Sequence, residues 1–167
     1  MDSVHLHLIL NHLPMVGILV AIGIYAAGWL RGSAEFQRLA LGLLLSFGLA
    51  TIPVYLTGGA AEHVVRRLPD VSKTLIEAHE KAAGAAFVAV EILAGFSLLG
   101  MVLYRKSAAI AKPFTAGLLA LAFAATGLFG WTGYLGGQIR HPEIRGGSPV
   151  IGSLHAEGPR GSRKSDD

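Results

Sequence analysis

Four long apolar stretches, at about residues 8–30, 38–60, 75–104 and 113–138, alternate with short polar connections along the chain. Each is close to the roughly 20 residues that a helix needs to cross a hydrocarbon core. The pattern predicts an all-α, integral membrane, up-down four-helix bundle over residues 1–145. Residues 146–167, rich in Gly, Ser, Pro and charge, read as a polar, disordered tail with nothing to pack.

Details inside the blocks sharpen this reading. In the first, Asn11 either caps a helix whose first turn holds Pro14, or the helix starts near Val4 and Pro14 kinks it. In the second case His5 and His12, seven residues apart, share a face, while His7 points elsewhere. Pro53 is expected to kink the second span, and Leu68-Pro69-Asp70 has turn chemistry. Ser72 or Thr74 is the expected cap of the third span. On that span Ala82, Ala83 and Ala86 lie on the face of His79 and leave it low in bulk. In the fourth, Thr126, Gly130, Gly133, Gly137 and His141 follow one another by four, three, four and four residues, a bare stripe that ends in a histidine. Such a stripe either lets two membrane helices approach closely or makes room for a flat cofactor.

Composition agrees with a membrane domain, since 52% of residues are hydrophobic and only 15% charged. The sequence has no cysteine, which excludes disulfides, thiolate metal sites and covalently attached haem c. The formal charge of +3 sits largely in loops and tail and forms no basic face with interleaved aromatics, so nucleic acid is not an expected partner. The N-terminus lacks the basic region and cleavage site of a signal peptide, and the first apolar run reads as a retained span.

Folding the spans up and down places His5, His7, His12, His63, His79 and His141 at one end of the bundle. The opposite loops carry Arg31, Arg38, Arg105, Lys106 and Lys112 against the single acid Glu35. The positive-inside rule then puts the histidine-rich end outside the cytoplasm, in the periplasm for a bacterial inner-membrane protein. Four histidines at a common level, His12, His63, His79 and His141, one for each span, are the candidate metal ligands. Imidazole serves haem iron, zinc, copper and non-haem iron alike. The cleared small-residue faces favour a porphyrin, one or two haem b groups, over a bare ion. Arg140 and Arg145 are the candidate partners of haem propionates, and Glu91, at mid-depth, is either a proton or quinone site or a protonated carboxyl hydrogen-bonded to Ser97, Thr51, Thr126 or Ser46 across the bundle. Competing readings are a solvated polar cap and a His/carboxylate non-haem centre that draws on Glu62, Glu77, Glu80 or Glu143.

At His12-Leu13-Pro14 and at Gly133-Tyr134-Leu135-Gly136-Gly137-Gln138-Ile139-Arg140-His141, the chain resembles small bacterial four-span membrane proteins catalogued as domains of unknown function. Those open on a His-Phe-Pro-like element and close on a Gly-Trp-Leu-Gly-Gly…Arg-His-like one. The resemblance covers about residues 5–145 and implies a minimal b-type cytochrome in which His12, His79 and His141 bind haem. Leu13 stands where phenylalanine is common, and His63 is not part of the shared pattern. The expected function is electron transfer between the quinone pool and a periplasmic redox protein, by a monomer, a homodimer or a larger membrane complex. The alternative is an accessory subunit without its own redox centre.

Overall fold

The computed structural model describes residues 3–67 and 71–141, and these are helical with short turns and no strand. Arg145, the turn expected at Leu68-Pro69-Asp70 and the polar tail lie outside the described residues. In chain order the helices are α1 (Ser3–Leu10), α2 (His12–Leu30), α3 (Ala34–Leu49), α4 (Thr51–Val65), α5 (Lys73–Leu103) and α6 (Lys112–Arg140). Four stretches are long and apolar enough to cross a membrane: His5–Leu30, Ala34–Val65, Lys73–Leu103 and Lys112–Arg140. The first two are each made of two helices.

Both interruptions have the same cause. α1 gives way to α2 at Asn11, three residues before Pro14, and α3 to α4 at Ala50, three before Pro53. Proline has no N–H to give to the carbonyl four residues back, and its ring presses against that carbonyl, so the ladder breaks at Leu10 and at Leu49. Asn11 keeps helical φ/ψ of −60° and −29° and caps nothing. Its amide oxygen is buried without a partner because position i+3, where a capped N–H would be, is Pro14. Beside the second break, side-chain hydroxyls take up carbonyls: Thr51 Oγ1 donates to Gly48 O at 2.7 Å, and Thr57 Oγ1 lies 2.8 Å from Pro53 O.

The uninterrupted spans start on ordinary caps. Ser72 accepts from Leu75 N at the head of α5, and Pro113 occupies the first turn of α6, where a missing N–H costs nothing. Between α2 and α3, Ser33 caps the second helix, and Gly32 turns the chain at φ +64°.

The two halves of the bundle pack differently. In one, α2, α3, α5 and α6 close a ring of neighbours around a core of Ile18, Tyr25, Leu41, Leu44, Leu93 and Leu118, all at most 1% exposed. Its far end is sealed by Tyr25 OH and Thr115 Oγ1, 3.0 Å apart, and by Arg38, which donates to Ser107 O at 2.9 Å. In the other half, α1 packs on α4 and α4 on α5, whereas α1 and α6 scarcely approach. Thr51 is the one buried residue of α4, and no described residue of α1 is buried. Outward faces carry Leu39, Leu56, Val88, Val102 and Phe123 in the open, as expected of helices that face lipid.

Candidate functional site

The half-open end encloses a cavity of about 700 Å³, within the range of small-molecule sites. His7, Leu8 and Asn11 line it from α1, His12 from the start of α2, and Val54, Tyr55, Gly58 and Glu62 from α4. α5 contributes Ile76, His79 and Ala83, and α6 contributes Gly133, Gly136, Gly137 and Arg140. On the wall, Tyr55 stacks on Phe87 with ring centroids 4.4 Å apart. One helical turn further along both helices, Thr51 Oγ1 meets Glu91 Oε1 at 2.8 Å. Glu91 thus meets Thr51 across the bundle, and Gly48 O and Glu91 Oε1 compete for the one proton of Thr51 Oγ1.

Two imidazoles are held in the same way. His7 Nδ1 lies 3.0 Å from Val54 O, and His79 Nδ1 lies 3.0 Å from Thr132 O. A carbonyl only accepts, so Nδ1 of each ring donates, and in the neutral imidazole that leaves the lone pair on Nε2. Among the described residues neither Nε2 has a hydrogen-bond partner. An Nδ1–H held on a backbone carbonyl with Nε2 free is the arrangement that orients a metal-ligating histidine.

Each ring lies against a glycine. A Cβ at Gly58 would touch His7 Cε1 at 3.4 Å, an ordinary contact, but one at Gly136 would meet His79 Cε1 at 3.2 Å and Nδ1 at 3.3 Å. Gly136→Ala is therefore expected to push His79 off Thr132 O and weaken binding of a metal-centred ligand by roughly 10–100-fold, the usual cost of disturbing such an outer partner. A titration of ligand into the wild type and the variant measures it, and the ring ¹⁵N shifts of His79 report the tautomer.

The mouth is charged. Arg66 pairs with Glu62 on its own helix and reaches Glu80 on α5 at 3.9 Å, which ties the two helix ends together. Hydrogen bonding to Glu62 pushes the already high pKa of this exposed guanidinium further up.

Of the four histidines expected at one level, the structure brings His12 and His79 to the cavity, with His12 largely exposed at its edge. His63 and His141 are exposed and do not line it, whereas Arg140 does. His7, which periodicity turned away from the site, is half-buried on the wall. The break at Asn11 frees α1 from the register of α2 and lays it on α4, so that His5 stays exposed and His7 turns inward. The alanines expected to clear a face divide: Ala82 and Ala86 are buried, and Ala83 alone faces the cavity. Along the α6 stripe, a Cβ at Gly130 or Gly133 would meet nothing within 4 Å, so these positions face open space rather than another helix of the chain.

Fold and cavity together define a helical bundle of membrane-crossing length with a histidine-lined cavity at one end. No protein-family model matches the chain, and no curated protein or solved structure does so either.

Proposed function

We propose that the protein is a membrane-embedded b-type haem protein that carries electrons between the quinone pool and a partner on the histidine side, in the periplasm of a bacterial cell. The observation that carries this reading is the pair of imidazoles, His7 and His79, on one cavity, each with Nδ1 bound to a carbonyl and Nε2 uncommitted. The residues fit the group: a cavity of about 700 Å³, an aromatic wall of Tyr55 on Phe87, and Arg140 at the rim for propionates. His7 and His79 would hold the group, with His12 at the edge as an alternative donor. Bound haem would supply one-electron chemistry, and its potential would follow from ligation, burial and nearby charge.

The chain's own groups do the rest. Thr132 O and Val54 O fix the ring planes. Glu62 and Glu80, paired with Arg66, set the charge at the mouth. Glu91, held by Thr51, is the proton or quinone contact of this reading. A bare-ion centre gains no support, because no group of three or more His, Asp or Glu side chains able to hold a metal ion forms among the described residues. The motif resemblance at His12-Leu13-Pro14 and Gly133 through His141 agrees with haem and with His79 as a ligand, but it names His12 and His141 where the cavity offers His7.

The test is a reduced-minus-oxidised visible spectrum of protein purified from haem-replete cells, with a pyridine assay for haem per chain. The expected result is a low-spin b-type spectrum with at least one haem. Protein that is folded, haem-free and unable to bind added haem would leave the accessory-subunit reading in its place.

A further inference from the structure

The helices that wall the cavity are not all packed on each other. α1 supplies Leu8 and α6 supplies Gly133 and Ile139 to the same cavity, yet α1 and α6 scarcely approach. In the ring α1, α4, α5, α6 every other neighbouring pair is in contact. α2, which touches both α1 and α6, reaches the cavity only through His12 at its edge, so this is the side of the cavity that its wall helices do not close. That side is apolar and small-residue on α6, where a Cβ at Gly130 or Gly133 would meet nothing within 4 Å. Beside it on α6, Trp131 and Tyr134 are exposed, with rings 5.6 Å apart, the pair of residue types that gathers where acyl chains meet headgroups. The polar groups of the cavity, Glu62, Glu80 and Arg140, belong instead to the ends of their spans or to the turn beyond the start of α5.

We infer that the gap between α1 and α6 is a lateral door, through which a planar amphiphile dissolved in the histidine-side leaflet enters edge-on, its acidic groups stopping at Arg140 while its ring reaches His7 and His79. The inference rests on the haem reading and names the loading route of that site. An apolar ring passing between Leu8 and Gly133 never leaves hydrocarbon, and carboxylates that stay at the rim never enter it. Entry through the charged mouth would instead require the Arg66 link between α4 and α5 to open.

The test uses the full chain, stripped of haem, in lipid nanodiscs, with haem added and Soret absorbance followed in time. Gly133→Leu is expected to slow association roughly tenfold, as a door that must first open does. Its melting should equal that of the wild type, since nothing lies within 4 Å of the new Cβ. Gly127→Leu, also open and exposed on α6 but away from the cavity, should load at the wild-type rate. Arg140→Gln should hold haem less tightly, and the difference should vanish with the iron porphyrin dimethyl ester. Wild-type rates in Gly133→Leu overturn the door, as does complete loss of binding in that variant, which would make Gly133 part of the seat. Failure of the wild type to bind haem overturns the haem reading instead.

Discussion

His79→Ala and His7→Ala are each expected to remove the low-spin haem spectrum, while His63→Ala and His141→Ala keep it. The loss should exceed the roughly 10–100-fold that disturbing a mere outer partner of a metal site costs. Neither replacement undercuts the fold. Each ring is only half-buried, and its single carbonyl partner lies within a helix. His12→Ala has a smaller expected effect, because His12 is exposed at the edge of the cavity and no carbonyl among the described residues holds its ring. Haem counted by pyridine assay, together with the spectrum of the ferric form, separates these cases. If His63 or His141 proved indispensable and His7 dispensable, the axial pair would not be the one that lines the cavity.

The second large effect falls on the fold. At Gly48 an added Cβ would come within 2.6 Å of Ala94 Cβ and 3.6 Å of Val90 O, where α3 crosses α5 with no flexible side chain between them. Gly48→Leu must drive the two helices apart, at a cost of about 1–3 kcal/mol or more for overpacking a tight interface. It also disturbs the carbonyl to which Thr51 donates and, through Thr51, the position of Glu91. Unfolding in mixed micelles with increasing denaturing detergent measures the difference. The milder Gly48→Ala should be rescued in part by Ala94→Gly, because the pair then shares one methyl group instead of two. Gly127→Leu, with open space at its Cβ, should change little. Close approach through small residues is the main source of helix association where lipid tails are as apolar as the helices.

The spans could be read from the sequence because apolar length is a local property. Residues 8–30 and 113–138 were marked by composition alone, and the helices that form reach His5–Leu30 and Lys112–Arg140. The second span likewise runs past residue 60 to Val65, through Glu62, which pairs with Arg66 just beyond the helix without being hydrophobic. His79 was legible for the same reason, as a histidine with small neighbours on an unbroken helix. His7 was not. Its direction depends on how far α1 rotates after the break at Asn11, which is settled by packing on α4 some 47 residues on, at the Val54 carbonyl. Periodicity carried unbroken through Pro14 paired His5 with His12 and sent His7 elsewhere. The signal that could have found it is the repeated spacing itself, since Pro14 and Pro53 each stand three residues after the point where a helix gives way. Two broken helices at the same end of a bundle have to be read as segments with their own faces.

Those two prolines divide the molecule mechanically. The tight core lies in the ring of α2, α3, α5 and α6, and the α1–α4 pair beyond the breaks is held by few buried side chains. Regions with few buried contacts open at a small fraction of the global unfolding free energy. Amide hydrogens of α1 and α4 should therefore exchange long before those of Leu41, Leu44 and Leu93, as a jaw moves on a fixed base. A chain built in this way can change the walls of its cavity, residue by residue, and still keep its seat in the bilayer.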